Sequence, residues 1–400
     1  MRRLLLLVLA LVMSFSMLFP ETGTAEINDE FVTHLFESRK IKGGAVVISR
    51  DGEILYSMAY GYRNASKTEP VTLNTCFRIA SVTKMVTALG VARLCREQDI
   101  SFDTPVGEIL KENIVNPAYP DQPITLRQVM THTSGFQQMN HYHPNWSVMT
   151  TNNNYFTPNA MPGKRYIYSN LNGGLLGAVI EALSGQSLNT YMRENIFAPL
   201  DVNAAYHPAL LADSTDLANR LKKDGSVKRS ARAELETIGE YEDFCDPSQH
   251  TEYSVGQLYI SADGLNKVLS MLVANLRDDD TRILPHGTVA EMIAPQNFDG
   301  SSVSVDDRYV LGLERLTDLP GGYWYGHQGM MDGLSSDAYF QPDTGLCVTV
   351  IANGYEPMTI NGVTGIAREL MEEAVETAHV RSRDGLLVTV CELWNQPRRR

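Results

Sequence analysis

The chain has 400 residues, 43% hydrophobic and 20% charged, a composition that indicates a globular protein with an ample core and excludes disordered and fibrous classes. Its formal net charge of −13 argues against nucleic acid or an anionic membrane as the main partner. The five cysteines form no paired Cys-x-x-Cys motif, so they give no support for a metal site.

The first residues have the layout of a secretory signal peptide. Two arginines precede an apolar run that ends at Phe19, and the small-residue site Gly23-Thr-Ala25 follows. We expect cleavage after Ala25 and a periplasmic or secreted protein, with an uncleaved anchor as the alternative. No later segment is apolar for long enough to cross a bilayer, so we expect no stable membrane span once residues 1–25 are removed.

Strand patterns occur near both ends of the chain, and helical patterns occur mainly between them. The first two strands flank Asp51-Gly52, a strong hairpin signal. The predicted strands are 44–49, 54–58, 309–316, 323–328, 335–340 and 347–353. Apolar periodicity predicts helices over 29–39, 81–95, 126–132, 175–183, 265–276 and 362–378. The segments 140–165 and 220–252 are predicted to be loops because they are rich in Asn, Pro, Asp and Lys.

This order of elements predicts an α/β (α+β) fold with one antiparallel sheet built from both ends of the chain and flanked by helices. We expect residues 26–75 and 305–380 to form the sheet subdomain. Residues 76–304 are expected to form an inserted, mostly helical subdomain, with the active-site cleft between the two. The tail 381–400 fits no part of this plan, and we expect it to be a frayed terminus.

Ser81-Val-Thr-Lys84 is the only Ser-x-x-Lys tetrad in the chain. Positions i and i+3 share one face of a helix, so the lysine amine can reach the serine hydroxyl. A lysine whose pKa is lowered by burial can take the serine proton and activate it as a nucleophile. Alone the tetrad is a weak signal, and a capping serine with an unrelated surface lysine is the competing interpretation.

Two Tyr-x-Asn sequences offer a second element, with a phenol to relay a proton and an amide to hold the substrate or the lysine. Tyr62-Arg-Asn64 follows a strand directly and is typical of a turn. Tyr168-Ser-Asn170 follows a Pro-Gly pair and precedes a glycine-rich helix start, which is a better place for a catalytic loop. We therefore favour Tyr168 and Asn170.

The third element is Gly326-His-Gln-Gly329, which ends a strand and is followed by Met330. A strand edge beside a reactive serine can bind an extended substrate. It can also donate a backbone N–H to the oxyanion, and we expect that of Met330 to act together with that of Ser81.

In this order, the three elements resemble those of the serine penicillin-recognising enzymes, in the branch of class C β-lactamases, D-Ala-D-Ala carboxypeptidases, esterases and D-aminopeptidases. The similarity covers about residues 43–371. It includes five segments: Phe77-Arg-Ile-Ala-Ser-Val-Thr-Lys84, Ile124-Thr-Leu-Arg-Gln-Val-Met-Thr-His-Thr-Ser-Gly135, Tyr325-Gly-His-Gln-Gly329, Phe340-Gln-Pro-Asp-Thr-Gly345 and Ile351-Ala-Asn-Gly354.

The resemblance implies a β-lactamase/transpeptidase-like fold and acyl transfer without a metal or an organic cofactor. Ser81 would be acylated, Lys84 and Tyr168 would share the base role, and Asn170 would orient the acyl group. His327 and Gly329 would line the site.

One departure from the family pattern bears on the substrate. β-Lactamases of this branch usually have Lys-Thr-Gly where this chain has His327-Gln-Gly329. A lysine supplies a full positive charge for a substrate carboxylate, whereas histidine is mostly uncharged at neutral pH. The departure favours a D-Ala-D-Ala carboxypeptidase-like peptidase or an esterase over a true β-lactamase. A non-catalytic peptidoglycan-binding or ligand-binding protein on the same fold is the alternative from another class.

The remaining candidates are weaker. His132, His141 and His143 suggest a metal site only faintly, because no acidic ligand lies near them in the sequence. The loop after Gly135 offers possible substrate contacts, namely Gln137, Gln138, His141 and Trp146. Arg78 is expected to anchor structure through hydrogen bonds rather than to bind substrate.

Overall fold

A computed structural model describes most of the chain between Ile27 and the end of the last helix. The described residues are 27–138, 153–236, 253–296, 309–354, 359–360 and 363–377.

Twelve strands occur among these residues, and six of them overlap the six predicted strands. They are β1 Gly43–Arg50, β2 Glu53–Gly61, β3 Phe77–Arg78, β4 Arg220–Leu221, β5 Val227–Arg229, β6 Tyr259–Ile260, β7 Glu314–Leu316, β8 Trp324–Met331, β9 Leu334–Phe340, β10 Leu346–Asn353, β11 Thr359–Ile360 and β12 Val363–Thr364.

Helices make up much of the middle of the chain and cover both faces of the main sheet. They are α1 Asp29–Ser38, α2 Val82–Glu97, α3 Val106–Leu110, α4 Leu126–Met130, α5 Asn170–Ser184, α6 Leu188–Met192, α7 Ala231–Glu236, α8 Tyr253–Gly256, α9 Ala262–Leu276, α10 Thr288–Ile293 and α11 at residues 365–377. Short 3-10 turns occur at Asn153–Tyr155, Ala198–Leu200 and Pro208–Leu210, and a π-helical turn occurs at Arg193–Phe197.

The main sheet has six strands in the order β2-β1-β10-β9-β8-β7, and every neighbouring pair is antiparallel. Strands from both ends of the chain therefore share one sheet, as the sequence predicts. The β1–β2 hairpin turns at Asp51 and Gly52, which have φ of +51° and +83°. Positive φ at both central residues is what the favoured two-residue hairpin turn requires.

Both faces of the sheet are covered, and side chains along β1 alternate between two hydrophobic cores. Ala45 and Val47 join the core shared with α2, α5 and α9. Val46 and Ile48 join the core formed with α1 and α11. The result is a helix–sheet–helix sandwich with the mostly helical part on one face, so the predicted fold class is confirmed. No helix among the described residues is long and apolar enough to cross a membrane.

Two expectations about local structure were wrong. The strand predicted over 309–316 joins the main sheet only at Glu314–Leu316, because the preceding residues bend back. The Gly312 N–H donates to the Met130 carbonyl of α4, and the Leu311 N–H donates to the Met292 carbonyl of α10. The predicted loop 220–252 contains the β4–β5 hairpin and helix α7 among its described residues. The missed signal is Asp224-Gly225, where Gly225 has φ of +88°, a turn dipeptide inside a polar segment.

Candidate active site

Ser81 lies at the N-terminus of α2, in a turn that neighbouring backbone holds on both sides. The Ile79 N–H donates to the Leu258 carbonyl at 3.0 Å, and the Ser336 hydroxyl donates to the Ile79 carbonyl at 2.6 Å. Ala80 has φ of +46°, a left-handed conformation that costs energy for a residue with a side chain. The turn therefore presents Ser81 at the helix terminus under local backbone strain.

Lys84 lies one turn along α2 and contacts the serine. Its Nζ is 3.0 Å from Ser81 Oγ and donates to the Val255 carbonyl at 2.8 Å. The residue is buried, and burial lowers the pKa of Lys84 to about 7, against an opposing effect of the Glu314 carboxylate. A lysine with this pKa is partly unprotonated near neutrality, so it can accept the proton of the hydroxyl that it contacts.

Tyr168 contacts Lys84 on one side and His132 on another. Lys84 Nζ lies 5.3 Å from the centroid of the Tyr168 ring, and the ring of His132 packs on Tyr168 with centroids 4.4 Å apart. Tyr168 directly precedes Ser169, the N-cap of α5, whose side chain accepts the Leu171 N–H. The capped helix start therefore fixes the backbone that carries the phenol.

His132 is a site residue that the sequence placed only among weak metal candidates. Its Nδ1 lies 3.1 Å from the Ser169 N–H and 2.9 Å from the Asn172 side-chain amide, both donors. Ser134 fixes that amide by donating to Asn172 Oδ1 at 2.7 Å. Burial lowers the pKa of His132, and the positive charge of Lys84 acts in the same direction. His132 is therefore a neutral ring with Nδ1 as acceptor, which suits a support for Tyr168.

The position of His132 also bears on metal binding. Within the described ranges, no group of three His, Cys, Asp or Glu side chains is arranged to hold a metal ion. Since Nδ1 of His132 already accepts two hydrogen bonds, that nitrogen is occupied by the protein.

Gly329 on β8 lies directly against the nucleophile turn. A Cβ at this position would lie 2.4 Å from the Ile79 carbonyl oxygen and 3.1 Å from the Ser81 nitrogen. Only glycine therefore allows this approach of strand to helix terminus.

The outer edge of β8 offers a backbone donor beside the serine. β7 pairs with β8 only at residues 324–326. Beyond that pairing the Gln328 N–H points to the same edge, where it donates to the Glu314 carboxylate at 3.1 Å. Backbone groups alternate along a strand, so the Met330 N–H also points to this edge. The Met330 side chain is exposed. This direction is what an oxyanion donor at Met330 requires.

His327 is buried on the face of β8 that carries Gly329. Its Nδ1 lies 2.5 Å from the Gln328 carbonyl, and its Nε2 lies 3.1 Å from the Tyr309 hydroxyl. Because a carbonyl only accepts, Nδ1 carries the proton and Tyr309 donates to Nε2. Burial lowers the pKa of His327 to about 3, and the Lys84 charge contributes in the same direction. The imidazole is therefore neutral, as expected, and both of its nitrogens bind the protein.

Glu314 and Tyr309 belong to this site, and sequence reasoning missed both. The Glu314 side chain is 16% exposed and its Oε1 lies 3.6 Å from His327 Nδ1. No motif marks either residue. The only available signal was an acidic residue inside a predicted strand, which is more often a solvated side chain.

Asn170 and the two glutamines come together at the start of α5. The Asn170 N–H donates to Gln138 Oε1 at 2.9 Å, and the Gln137 carbonyl accepts from the Ser169 hydroxyl at 3.0 Å. Asn170 Oδ1 is buried and has no hydrogen-bond partner among the described residues. These residues border Tyr168, and their contacts with substrate stay a prediction. His141, His143 and Trp146 lie outside the described residues.

The competing tyrosine lies far from this cluster. Tyr62 directly follows β2, the strand at the opposite edge of the sheet from β7. Four strand spacings separate β2 from β8, or about 19 Å. Arg78 donates from Nε to the Gly256 carbonyl at 2.7 Å, a structural contact of the kind expected. The structure therefore brings together Ser81, Lys84, Tyr168, Gly329 and His327 and leaves Tyr62 outside.

Comparisons with known proteins identify the family to which the chain belongs. The family model described as Beta-lactamase matches residues 28–369. Penicillin-binding protein 4* of Bacillus subtilis (strain 168) is 30% identical over 175 residues, which are 40% of this chain and 37% of that protein. Protein flp of Staphylococcus aureus (strain NCTC 8325 / PS 47) is 28% identical over 181 residues, 43% of this chain and 36% of that protein. The chain thus matches little more than a third of the length of these relatives.

Solved structures show the same fold. The octameric penicillin-binding protein homologue from Pyrococcus abyssi aligns with a TM-score of 0.65 and 23% identity, over 86% of this chain and 75% of that chain. A class C beta-lactamase mutant aligns with a TM-score of 0.64 and 17% identity, over 87% of this chain and 96% of that chain.

Proposed function

The chain belongs to the beta-lactamase family, and we propose that it is a serine hydrolase that forms an acyl-enzyme on Ser81. The observation that carries the proposal is the 3.0 Å contact between Ser81 Oγ and the Nζ of a buried lysine. A positioned base with a pKa near the working pH is what activation of a serine requires.

The proposed reaction uses only side chains and backbone groups of this site. Ser81 Oγ attacks the acyl carbonyl while its proton passes to Lys84 Nζ. Tyr168 gives its proton to the leaving group and recovers one from the Lys84 ammonium beside it. Backbone N–H groups of Ser81 and Met330 stabilise the oxyanion, with the N-terminus of α2 adding its positive dipole end. A water molecule then attacks the ester and releases the acid and Ser81. The scheme calls for no metal and no organic cofactor.

We propose a D-Ala-D-Ala carboxypeptidase-like peptidase or an esterase as the finer function. A neutral, internally bonded His327 supports the esterase within this choice, because it offers no positive charge to a carboxylate, which both a β-lactam and a D-Ala-D-Ala terminus carry. The acyl donor would be an ester, an amide or a D-amino peptide. The arginine-led apolar N-terminus supports export to the periplasm or beyond, also as a proposal.

Intact-mass analysis tests this function. The protein is exposed separately to a fluorophosphonate, a penicillin and a panel of short esters, and the added mass is followed with time. Stoichiometric labelling of wild type, lost in Ser81→Ala, is expected, with turnover of esters or D-amino peptides. Fast turnover of penicillin would make the chain a true β-lactamase. Absence of labelling would favour the non-catalytic binding protein, and full labelling of Ser81→Ala would show that another residue is the nucleophile.

A further inference from the structure

Glu314 is a largely buried carboxyl group that the proposed reaction does not use. It accepts hydrogen bonds from the Tyr339 hydroxyl and from the Gln328 N–H, the latter at 3.1 Å. Its other oxygen lies 3.6 Å from His327 Nδ1, an electrostatic contact that is too long for a hydrogen bond. A carboxyl group with this many donors around it is held in one place.

The strand geometry explains how Glu314 reaches both faces of β8. Gly326 pairs with Glu314 on one side and with Tyr339 on the other. A Cβ at Gly326 would lie 2.7 Å from the Tyr339 ring, so the missing side chain lets the phenol cross β8 toward the carboxylate. Beyond the last residue that pairs with β7, the first N–H on this edge of β8 is that of Gln328, and it donates to the Glu314 carboxyl group. The side chain of Glu314 thus accepts the hydrogen bond that a backbone carbonyl would accept if β7 were longer.

This contact sets where the free edge of β8 begins. The Gln328 N–H is bound by Glu314, and the Gln328 carbonyl lies 2.5 Å from His327 Nδ1. Both polar backbone groups of Gln328 are therefore occupied by the protein. The next donor on that edge is the Met330 N–H, beside Gly329 and the nucleophile turn.

We propose that Glu314 is a positioning residue that ends the bound edge of β8 at Gln328 and would pair with any positive charge placed at the His327 position. The site consequently selects acyl donors that lack a carboxylate. This inference rests on the proposed acyl transfer at Ser81, and it concerns the substrate class of that same site. Glu314 and the neutral imidazole together offer a substrate carboxylate no positive partner, whereas an ammonium introduced at position 327 would favour the ionised form of Glu314 and be paired internally.

Charged and titratable groups face Glu314 from three elements and from the segment before β7. They are Lys84 on α2, His327 on β8, Asp337 and Tyr339 on β9, and Tyr309 before β7. Burial raises the pKa of Glu314 to about 8, while its hydrogen bonds and the Lys84 charge oppose that rise. In return, the Glu314 charge raises the pKa of Lys84. A carboxyl group with this pKa is mostly protonated at neutral pH, so E314Q should change the titration of Lys84 little there.

Selectivity is measured with two chromogenic esters that differ only in carrying a carboxylate or its carboxamide. The ratio of kcat/KM for the two esters is compared in wild type, E314Q, H327K and the double variant. H327K alone should change the ratio by less than about threefold, because Glu314 pairs with the new ammonium. The double variant should shift the ratio about tenfold or more toward the carboxylate, the scale of a freed charge-assisted hydrogen bond. An equal gain in H327K alone, or none in the double variant, overturns the proposal.

D337N is the matched control. Asp337 is a second buried carboxyl on the same sheet, but it binds the hydroxyl and N–H of Thr364 before α11. D337N should leave the ratio of kcat/KM for the two esters unchanged. It should also leave unchanged the pH at which kcat/KM falls on the acid side, here called the acid limb. E314Q alone should also leave that limb close to its wild-type position, because a carboxyl group with a pKa of about 8 is mostly protonated there. If D337N combined with H327K raised the ratio as much as E314Q combined with H327K, the result would count against the proposal.

The unfolding midpoint gives a readout that needs no activity. Adding E314Q to H327K should lower the midpoint more than adding E314Q to wild type, because only the first change breaks an internal ion pair. If E314Q lowers the unfolding midpoint by the same amount in H327K and in wild type, the inference is refuted, whether or not the protein turns over esters. Failure of wild type to label with fluorophosphonate would instead refute the proposed function, so the two failures are separable.

Discussion

Substitution of Gly329 by alanine tests whether β8 rests directly on the nucleophile turn. The added Cβ would lie 2.4 Å from the Ile79 carbonyl oxygen and 2.5 Å from Ser336 Oγ. An ordinary carbon–oxygen contact is about 3.3 Å, so the overlap with the carbonyl is about 0.9 Å. Either the turn or the strand must shift by most of an ångström to relieve it.

The expected loss follows from that displacement. A misplacement of about 1 Å in a reacting group can cost on the order of 10²-fold in rate. Overpacking of this kind also lowers stability by about 1–3 kcal/mol. We therefore expect Gly329→Ala to slow acylation of Ser81 about 100-fold while the protein stays folded. The assay is the pseudo-first-order rate of fluorophosphonate labelling, followed by intact mass, with the unfolding midpoint measured in parallel.

Gly52→Ala is the control for a general effect of losing a glycine. Gly52 has φ of +83° in the β1–β2 turn, and a Cβ there would meet nothing within 4 Å. This variant should lose stability through backbone strain and keep the wild-type labelling rate. A Gly329→Ala protein that labels as fast as wild type would refute the argument that the strand sets the position of Ser81.

Two further predictions concern the base. Lys84→Ala and Tyr168→Phe should each lower the acylation rate about 10²–10⁴-fold, the usual effect of losing positioned proton transfer. The control variant Tyr62→Phe should be labelled at the wild-type rate. If Tyr62→Phe slowed labelling and Tyr168→Phe did not, the choice of Tyr168 would be wrong. Burial sets the pKa of Lys84 to about 7, and the ammonium form cannot accept a proton. The kcat/KM for an uncharged ester should therefore fall about tenfold per pH unit below about 7, and an acid limb near the ordinary lysine pKa would contradict this.

The sequence alone determined the parts of the site that depend on short spacings. Ser81 and Lys84 are three residues apart on a helix, and this fixes their contact whatever the rest of the fold does. The period-2 and period-3.6 patterns likewise placed most strands and helices, because each pattern reports which face of a single element is buried. The choice of Tyr168 over Tyr62 needed only the local context of each tyrosine.

The tertiary structure decided the contacts that depend on strand register and on distant segments. Glu314, Gln328 and Tyr339 meet because β7, β8 and β9 pair at one register, and a shift of one residue would turn each side chain to the other face. His132 reaches Tyr168 only because Ser169 and Asn172 of a separate helix bind its ring. These contacts cannot be predicted from spacings in the sequence. They arise from long-range packing, whereas the periodic pattern of each element indicates only which of its faces is buried.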